Sequence, residues 1–183
     1  MWRSNTEISL CFLFVLLFLI SSTAFAFSTN CTVTRVIDGD TFHCIPDTTI
    51  AGAKFHKDGT ISVRLRGVDA PEKRQPSGMD AQESLKELIG RKTVKLGVKD
   101  IDRYGRVAAY VFVGSVNVNL EQVKRGLAWA YTEYLDRPYA SEFYDAEKQA
   151  RKKRLGLWQK ANPTPPWEWR KKRIEKGEFF ESN

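Results

Sequence analysis

The sequence predicts an α+β fold, a small barrel or sheet of five strands with one helix after the third strand and two more after the fifth. Three observations carry this. Between 61 and 66, Ile61, Val63 and Leu65 alternate with Ser62, Arg64 and Arg66, so one face of a strand is buried and the arginines emerge on the other. Residues 31–37 and 41–44, rich in Val, Ile, Thr and Phe, flank Asp38-Gly39, a strong hairpin signal. From 79 to 89 the spacing turns helical, with Ala81, Leu85, Leu88 and Ile89 on one side and Gly90 as a stop.

The remaining elements follow in chain order. Residues 50–60 carry Gly52 and Asp58-Gly59 and read as a loop before the third strand. Asp69-Ala70-Pro71-Glu72 breaks that strand, and 73–78 is a polar, basic loop. Residues 93–98 and 107–113 read as the fourth and fifth strands, joined by Asp102-Arg103-Tyr104-Gly105-Arg106. A second helix is expected over 119–131, interrupted or ended near Gly126, and a third over 141–154 with a basic last turn, closed by Leu155-Gly156-Leu157-Trp158. Beyond it, Pro163-Thr164-Pro165-Pro166-Trp167-Glu168-Trp169 and a charged end read as extended or only loosely docked.

Arg3, an apolar run from Ile8 to Ile20 and the small-x-small triplet Ala24-Phe25-Ala26 together have the form of a secretory signal. The run is shorter than the ~20 residues that span hydrocarbon, so export is expected, to the periplasm or beyond, with no span in the mature chain. The organisation expected is therefore 1–26 as signal peptide, 27–160 as one folded domain and 161–183 as a Pro- and Trp-containing charged tail. The leader holds one base, Arg3, and one acid, Glu7, so its removal leaves the net charge at +7. Such an excess attracts polyanions, whether nucleic acid, acidic polysaccharide or an anionic membrane surface. Cys11 leaves with the leader. Cys31 and Cys44 remain in an oxidising compartment on the two arms of the hairpin, and an even pair there suggests a disulfide. A tight turn at 38 and 39 would set Cys44 opposite Val33, so a bulge or twist is needed to bring the two sulfurs together.

Three segments hold side chains suited to chemistry: 36–41 (Val-Ile-Asp-Gly-Asp-Thr), 64–72 (Arg-Leu-Arg-Gly-Val-Asp-Ala-Pro-Glu) and 102–106. Each alone reads as a turn. Together they supply what phosphodiester hydrolysis needs. Asp40, Asp69 and the carbonyl of Ala70 offer hard oxygen ligands that suit calcium better than zinc. Glu72 can take a proton from water, and Arg64 and Arg106 can meet phosphoryl oxygens bidentately. His43 and His56, the only histidines, lie outside these segments.

In order, spacing and residue type the three segments resemble the staphylococcal (micrococcal) nuclease family, from about Val33 through Trp158 and including Gly126-Leu127-Ala128; the stretch 165–170 is similar to tails on Gram-negative members. The resemblance implies a five-stranded OB-fold β-barrel with three helices and calcium-dependent endonuclease action on DNA and RNA, leaving 3′-phosphate ends. It implies Asp40, Asp69 and Ala70 as calcium ligands and Asp38 as an outer-shell acid. It also implies Glu72 as general base, Arg64 and Arg106 as phosphate-binding catalytic arginines, and Tyr104 as lining the nucleotide site. Tyr131 and Tyr134 are candidates for substrate stacking, against a plainer role in packing a helix end. Ala70 departs from the founding member, which carries threonine there; a main-chain ligand survives that change. The expected partners are nucleic-acid substrates alone, with the chain a monomer. Two rivals remain: a non-catalytic OB-fold module that binds nucleic acid, and a basic surface protein docking through its Trp- and Lys-rich end.

Overall fold

The computed structural model describes residues 27–176; the expected leader and the last seven residues lie outside the described residues. Two long antiparallel pairings organise the barrel. Strand β1 (Ser28–Val36) pairs on one side with β2 (Thr41–Pro46) and on the other with β5 (Thr93–Ile101). Strand β3 (Ile61–Leu65) runs antiparallel to β2, and β6 (Val107–Val113) antiparallel to β5. A parallel pairing of β3 with β6, Arg64 beside Ala108, closes the circuit in the order β1-β2-β3-β6-β5. This is a closed five-stranded barrel of the OB type, as the resemblance implies; spacing alone left barrel or sheet open. Short pairs extend it: β7 (Val116–Asn117) lies against β6, and β4 (Val68–Asp69) against β8 (Trp129–Ala130).

The alternation expected in β3 is what fills the barrel. Ile61, Val63 and Leu65 are buried with Phe42, Cys44, Val94, Leu96, Val107, Ala109 and Val111, while Ser62 and Arg64 retain surface. Helix α1 (Gly78–Ile89) packs Ala81, Leu85 and Ile89 onto this core. Helix α2 (Val118–Lys124) is shorter than the 119–131 expected. Its end is fixed by Gly126, whose positive φ ends the helical path and where a Cβ would collide with the Leu155 carbonyl oxygen. Leu157 N–H donates to the Gly126 carbonyl at 2.9 Å, so this corner clips the short 3₁₀ turn Gly156–Gln159 to α2. Helix α3 (Arg137–Lys152) starts four residues earlier than expected.

The tail differs most from expectation. Pro166 starts the fourth α-helix among the described residues, α4 (Pro166–Glu175), where proline's fixed φ and missing N–H suit the first turn. The helix docks: Pro166 is buried and Trp167 stacks on Tyr131 with ring centroids 5.8 Å apart and planes 10° from parallel. An extended reading followed from three prolines in four residues, but those prolines lie in or before the first turn, where they do not oppose a helix.

The hairpin is also wider than the two-residue turn expected. Ile37 N–H donates to the Thr41 carbonyl at 2.9 Å and Val36 faces Phe42, so the turn is Asp38-Gly39-Asp40. A bulge between Val33 and Arg35 absorbs the extra residue and places Cys44 opposite Val33 after all. Cys31 is then the diagonal neighbour of Cys44, and the two form a disulfide across Cα atoms 5.6 Å apart. The bond spans 13 residues, for which loop closure predicts about 3 kcal/mol. Replacing both cysteines by serine should lower unfolding free energy by about that amount in denaturant titration.

Candidate active site

Asp40 sits in the three-residue turn because Gly39 lets the chain pass between α1 and the loop after β4. A Cβ at Gly39 would stand 2.5 Å from the Ala81 Cβ and 2.7 Å from the Ala70 Cβ, neither of them the end of a flexible chain. Buried amides then hold the turn's carbonyls. Gln82 Nε2 donates to Ile37 at 2.7 Å, and Gln122 Nε2 donates to Gly39 at 2.7 Å and to Ala81 at 3.0 Å. Ser84 Oγ donates to Gln122 Oε1 at 2.7 Å. Sequence reading passed over these glutamines because a Gln on a helix usually faces water; only packing shows that they replace it.

Around this turn the structure brings together Asp38, Asp40, Arg64, Asp69, Ala70 and Glu72. Arg64 leaves β3 on its outward face and spans two acids, with Nη1 3.2 Å from Asp40 Oδ1 and Nη2 2.8 Å from Asp69 Oδ1. Asp40 Oδ1 also accepts from Thr41 Oγ1 at 2.8 Å, and Oδ2 from the Ala70 N–H at 2.9 Å. Asp38 Oδ1 accepts the Asp40 N–H at 3.0 Å. Asp69 is fully buried, Asp40 nearly so. A further residue, missed by sequence reading, joins them from α4: Arg170 Nη2 lies 2.7 Å from Asp69 Oδ2, and its Nη1 lies 3.1 Å from Asp69 Oδ1 and 2.8 Å from Glu72 Oε1.

Arg106 and Tyr104 lie apart from this cluster in their contacts. Arg106 Nε donates to Asp102 Oδ2 at 2.7 Å, its N–H to Asp102 Oδ1 at 3.0 Å, and its guanidinium lies 5.6 Å from the Tyr104 ring centroid. Tyr104 is 61% exposed, with Arg103 also over its ring. The loop forms from β5 to β6 as expected, with Gly105 N–H closing onto the Asp102 carbonyl at 2.8 Å. Tyr131 and Tyr134 touch, with centroids 4.9 Å apart, and Trp167 covers the other partner position on Tyr131. Tyr134 keeps half its surface free.

Among the described residues no group of three or more His, Cys, Asp or Glu side chains is arranged to hold a metal ion. The donor set present is two carboxylates and a carbonyl. A carboxylate has about four lone-pair positions; the contacts above use three on Asp40 and three on Asp69, which leaves one on each Oδ2. No hydrogen bond to the Ala70 carbonyl is found among the described residues. These hard oxygens fit a cation such as calcium that completes its six to eight ligands with water.

The same crowding of acids perturbs their titration. Burial, then the Asp40 charge, push the Asp38 carboxyl up to about 7, against the Asp40 N–H and Arg64, which favour its anion. The Asp40 charge holds the Arg64 guanidinium more firmly protonated than usual, outweighing burial, with Asp69 adding to it. In the unfolded chain Asp38 loses its proton near 3.8. Between that value and about 7 the folded state retains a proton that the unfolded state has released, so stability falls as pH rises through this window. Asp38→Asn, which keeps an acceptor for the Asp40 N–H, should therefore melt above the parent in chelator at pH 8 and close to it at pH 4. The ceiling on the difference is about 4 kcal/mol. Gly39→Ala, by contrast, should lose about 1–3 kcal/mol through overpacking at every pH, as thermal melts will report.

Comparison with known proteins adds an independent line. The sequence model described as Staphylococcal nuclease homologue matches residues 62–160, more than half of the 183. The chain is 38% identical over 157 residues to a protein of Haemophilus influenzae named an uncharacterized endonuclease, covering 86% of this chain and 82% of that one. It is 36% identical over 148 residues to a micrococcal nuclease of Shigella flexneri, covering 76% of this chain and 79% of that one. A probable staphylococcal-like nuclease of Oryza sativa is 43% identical over 109 residues, which is 60% of this chain but 32% of that longer protein. With the barrel, the order of the three segments and these matches in agreement, this chain belongs to the staphylococcal nuclease family.

Proposed function

We propose that this protein is an exported, calcium-dependent endonuclease that hydrolyses phosphodiester bonds of DNA and RNA and leaves 3′-phosphate ends. The observation that carries the reading is the convergence of Asp40, Asp69, Glu72 and Arg64 in one half-open cluster on the barrel. The micrococcal nuclease name of the Shigella relative supports the same chemistry.

Asp40, Asp69 and the Ala70 carbonyl would hold the calcium, which when bound polarises the phosphodiester. Glu72, about a quarter exposed at its side chain, accepts the proton of the attacking water as the new P–O bond forms opposite the P–O5′ bond that breaks. Arg64 turns both terminal nitrogens toward the acids, and its side chain retains some exposed surface from which to meet a phosphoryl oxygen. Arg106 is prepaid in orientation by Asp102, which fixes Nε and leaves the two terminal nitrogens to bind phosphoryl oxygens and stabilise the departing 5′-oxygen. An arginine does not readily give up its proton, so its part is charge stabilisation. Tyr104, on the same loop, and Tyr134 offer exposed rings on which bases can stack. The basic net charge draws the polyanion in, and that attraction weakens with salt.

Glu72→Gln keeps size and polarity but removes the base, so kcat should fall by about 10² to 10⁴ while a non-hydrolysable nucleotide still binds. Arg106→Lys keeps the charge and loses the planar fork. Its loss should appear in kcat more than in affinity, on the order of 10². Both are checked by steady-state kinetics on a short DNA duplex and on RNA, with and without a calcium chelator, and by identifying the phosphorylated end. Loss of affinity at unchanged kcat would reassign either residue to binding alone.

A further inference from the structure

The C-terminal segment beyond residue 160 lies outside the stretch matched by the family model, yet it reaches the centre of the site. Three contacts seat it. Gln75 Nε2 donates to the Thr164 carbonyl at 2.6 Å, Pro166 is buried, and Trp167 stacks on Tyr131 while meeting Trp129 edge-on at 6.2 Å. Trp167 and Arg170 are three residues apart on α4 and therefore share a face. With the indole anchored among aromatics, the guanidinium is carried to the acids.

What it does there follows from its partners. Glu72 stands in a loop without regular structure, and its main chain is held by Gln75: the Glu72 N–H donates to Gln75 Oε1 at 3.2 Å, and the Gln75 N–H to the Glu72 carbonyl at 2.7 Å. The same Gln75 side chain holds Thr164. The tail is thus tied to the Glu72 loop at the main chain through Gln75. At the side chain, the one hydrogen bond to the Glu72 carboxylate found among the described residues comes from Arg170 Nη1. Both terminal nitrogens of Arg170 also grip the two oxygens of Asp69, a buried acid that cannot move. A planar guanidinium fixed bidentately to one carboxylate sets the direction of its third bond.

We infer that Arg170 is a positioning residue of the active site: anchored on Asp69, it holds the Glu72 carboxylate in one place, leaving Oε2 to face the water it must deprotonate. The inference rests on the nuclease reading above. Glu72 without it would sample several rotamers in a mobile acidic side chain repelled by Asp69, and misplacement of a reacting group by about 1 Å costs up to about 10² in rate.

A double-mutant cycle tests this with the full-length mature protein, using R170Q, R170K, E72Q and E72Q/R170Q. R170Q is expected to lower kcat on a DNA duplex about 10- to 100-fold with KM and terbium or calcium affinity within a few-fold, and R170K to restore part of the loss. In the E72Q background R170Q should change kcat less than twofold. Thermal melts in chelator should show the same coupling, since the Glu72 to Arg170 contact exists without metal. If R170Q fails to fold, R170K and E72Q/R170K carry the cycle. Equal losses in both backgrounds, or an unchanged kcat, would overturn the positioning role. A faster R170Q enzyme, or one that binds terbium more tightly, would also overturn it and make Arg170 a competitor for the cation. A folded parent that leaves nucleic acid intact in calcium would instead overturn the nuclease reading and this inference with it, whereas a cutting parent with an indifferent R170Q overturns this inference alone.

Discussion

Two carboxylates withdrawn from water, Asp40 and Asp69, set the terms for the rest of this molecule. A buried charge is costly unless it is paired and its remaining lone pairs are bonded. Arg64 answers both acids at once from the outward face of β3, and the strand can offer it there because Val63 and Leu65 on either side point into the barrel. The parallel pairing of β3 with β6 keeps that strand central, and the three-residue turn aims Asp40 at it. Removing Arg64 would leave Asp40 uncompensated and Asp69 with Arg170 alone; removing either acid would leave Arg64 under-partnered. The cluster is therefore a structural keystone as well as the candidate centre of chemistry.

The polypeptide around the cluster is built to prevent it from relaxing. Gly39 lies in a gap too narrow for a β-carbon, Gln82 and Gln122 occupy the carbonyls that water would otherwise solvate, and Ser84 fixes the Gln122 amide. On the far portion of the same hairpin, the disulfide and the bulge beside it hold the register that the wide turn would otherwise shift by one residue. Ala70 belongs to this packing too, since its methyl group closes on Gly39 while its N–H donates to Asp40. The small residue there is thus matched to the tight approach of the turn, an account of the departure from threonine that concerns space rather than ligation.

Other parts of the surface are more exposed, Tyr104 and Tyr134 among them. Arg106, Arg103 and Tyr104 form a cationic and aromatic loop that holds itself together through Asp102. Tyr131, Tyr134, Trp129 and Trp167 form a separate aromatic group, to which α4 contributes Trp167. The aromatic group meets the acids through Arg170 of α4, while the cationic loop offers exposed charge and a ring, features that suit a polyanion with flat bases.

Local chemistry made a good part of this legible from sequence. The alternation in 61–65 fixes which side of β3 the arginine leaves by, the Asp-Gly pair marks the hairpin, and helical spacing marks α1 within a residue of its observed start. The order of Asp40, Arg64, Asp69 and Glu72 marked a cluster that the fold does assemble. Periodicity could not supply the strand order, since nothing in a strand's pattern names its partner; the β3–β6 closure is a long-range event. Nor could it place Arg170. Its sequence neighbourhood, prolines followed by a run of mixed charge, is that of a solvated end, and the forces that seat it come from far along the chain: a Trp ring on Tyr131, a glutamine amide on Thr164, and two carboxylates, the buried Asp69 and the part-exposed Glu72, wanting a cation. Sequence alone determined which face of β3 Arg64 leaves by and which turns carry the acids, because alternation and turn signals are local properties of the chain, while the resemblance implied that they meet. Tertiary structure alone decided that a distant arginine would complete it, because only folding buries the charge that makes that arginine necessary.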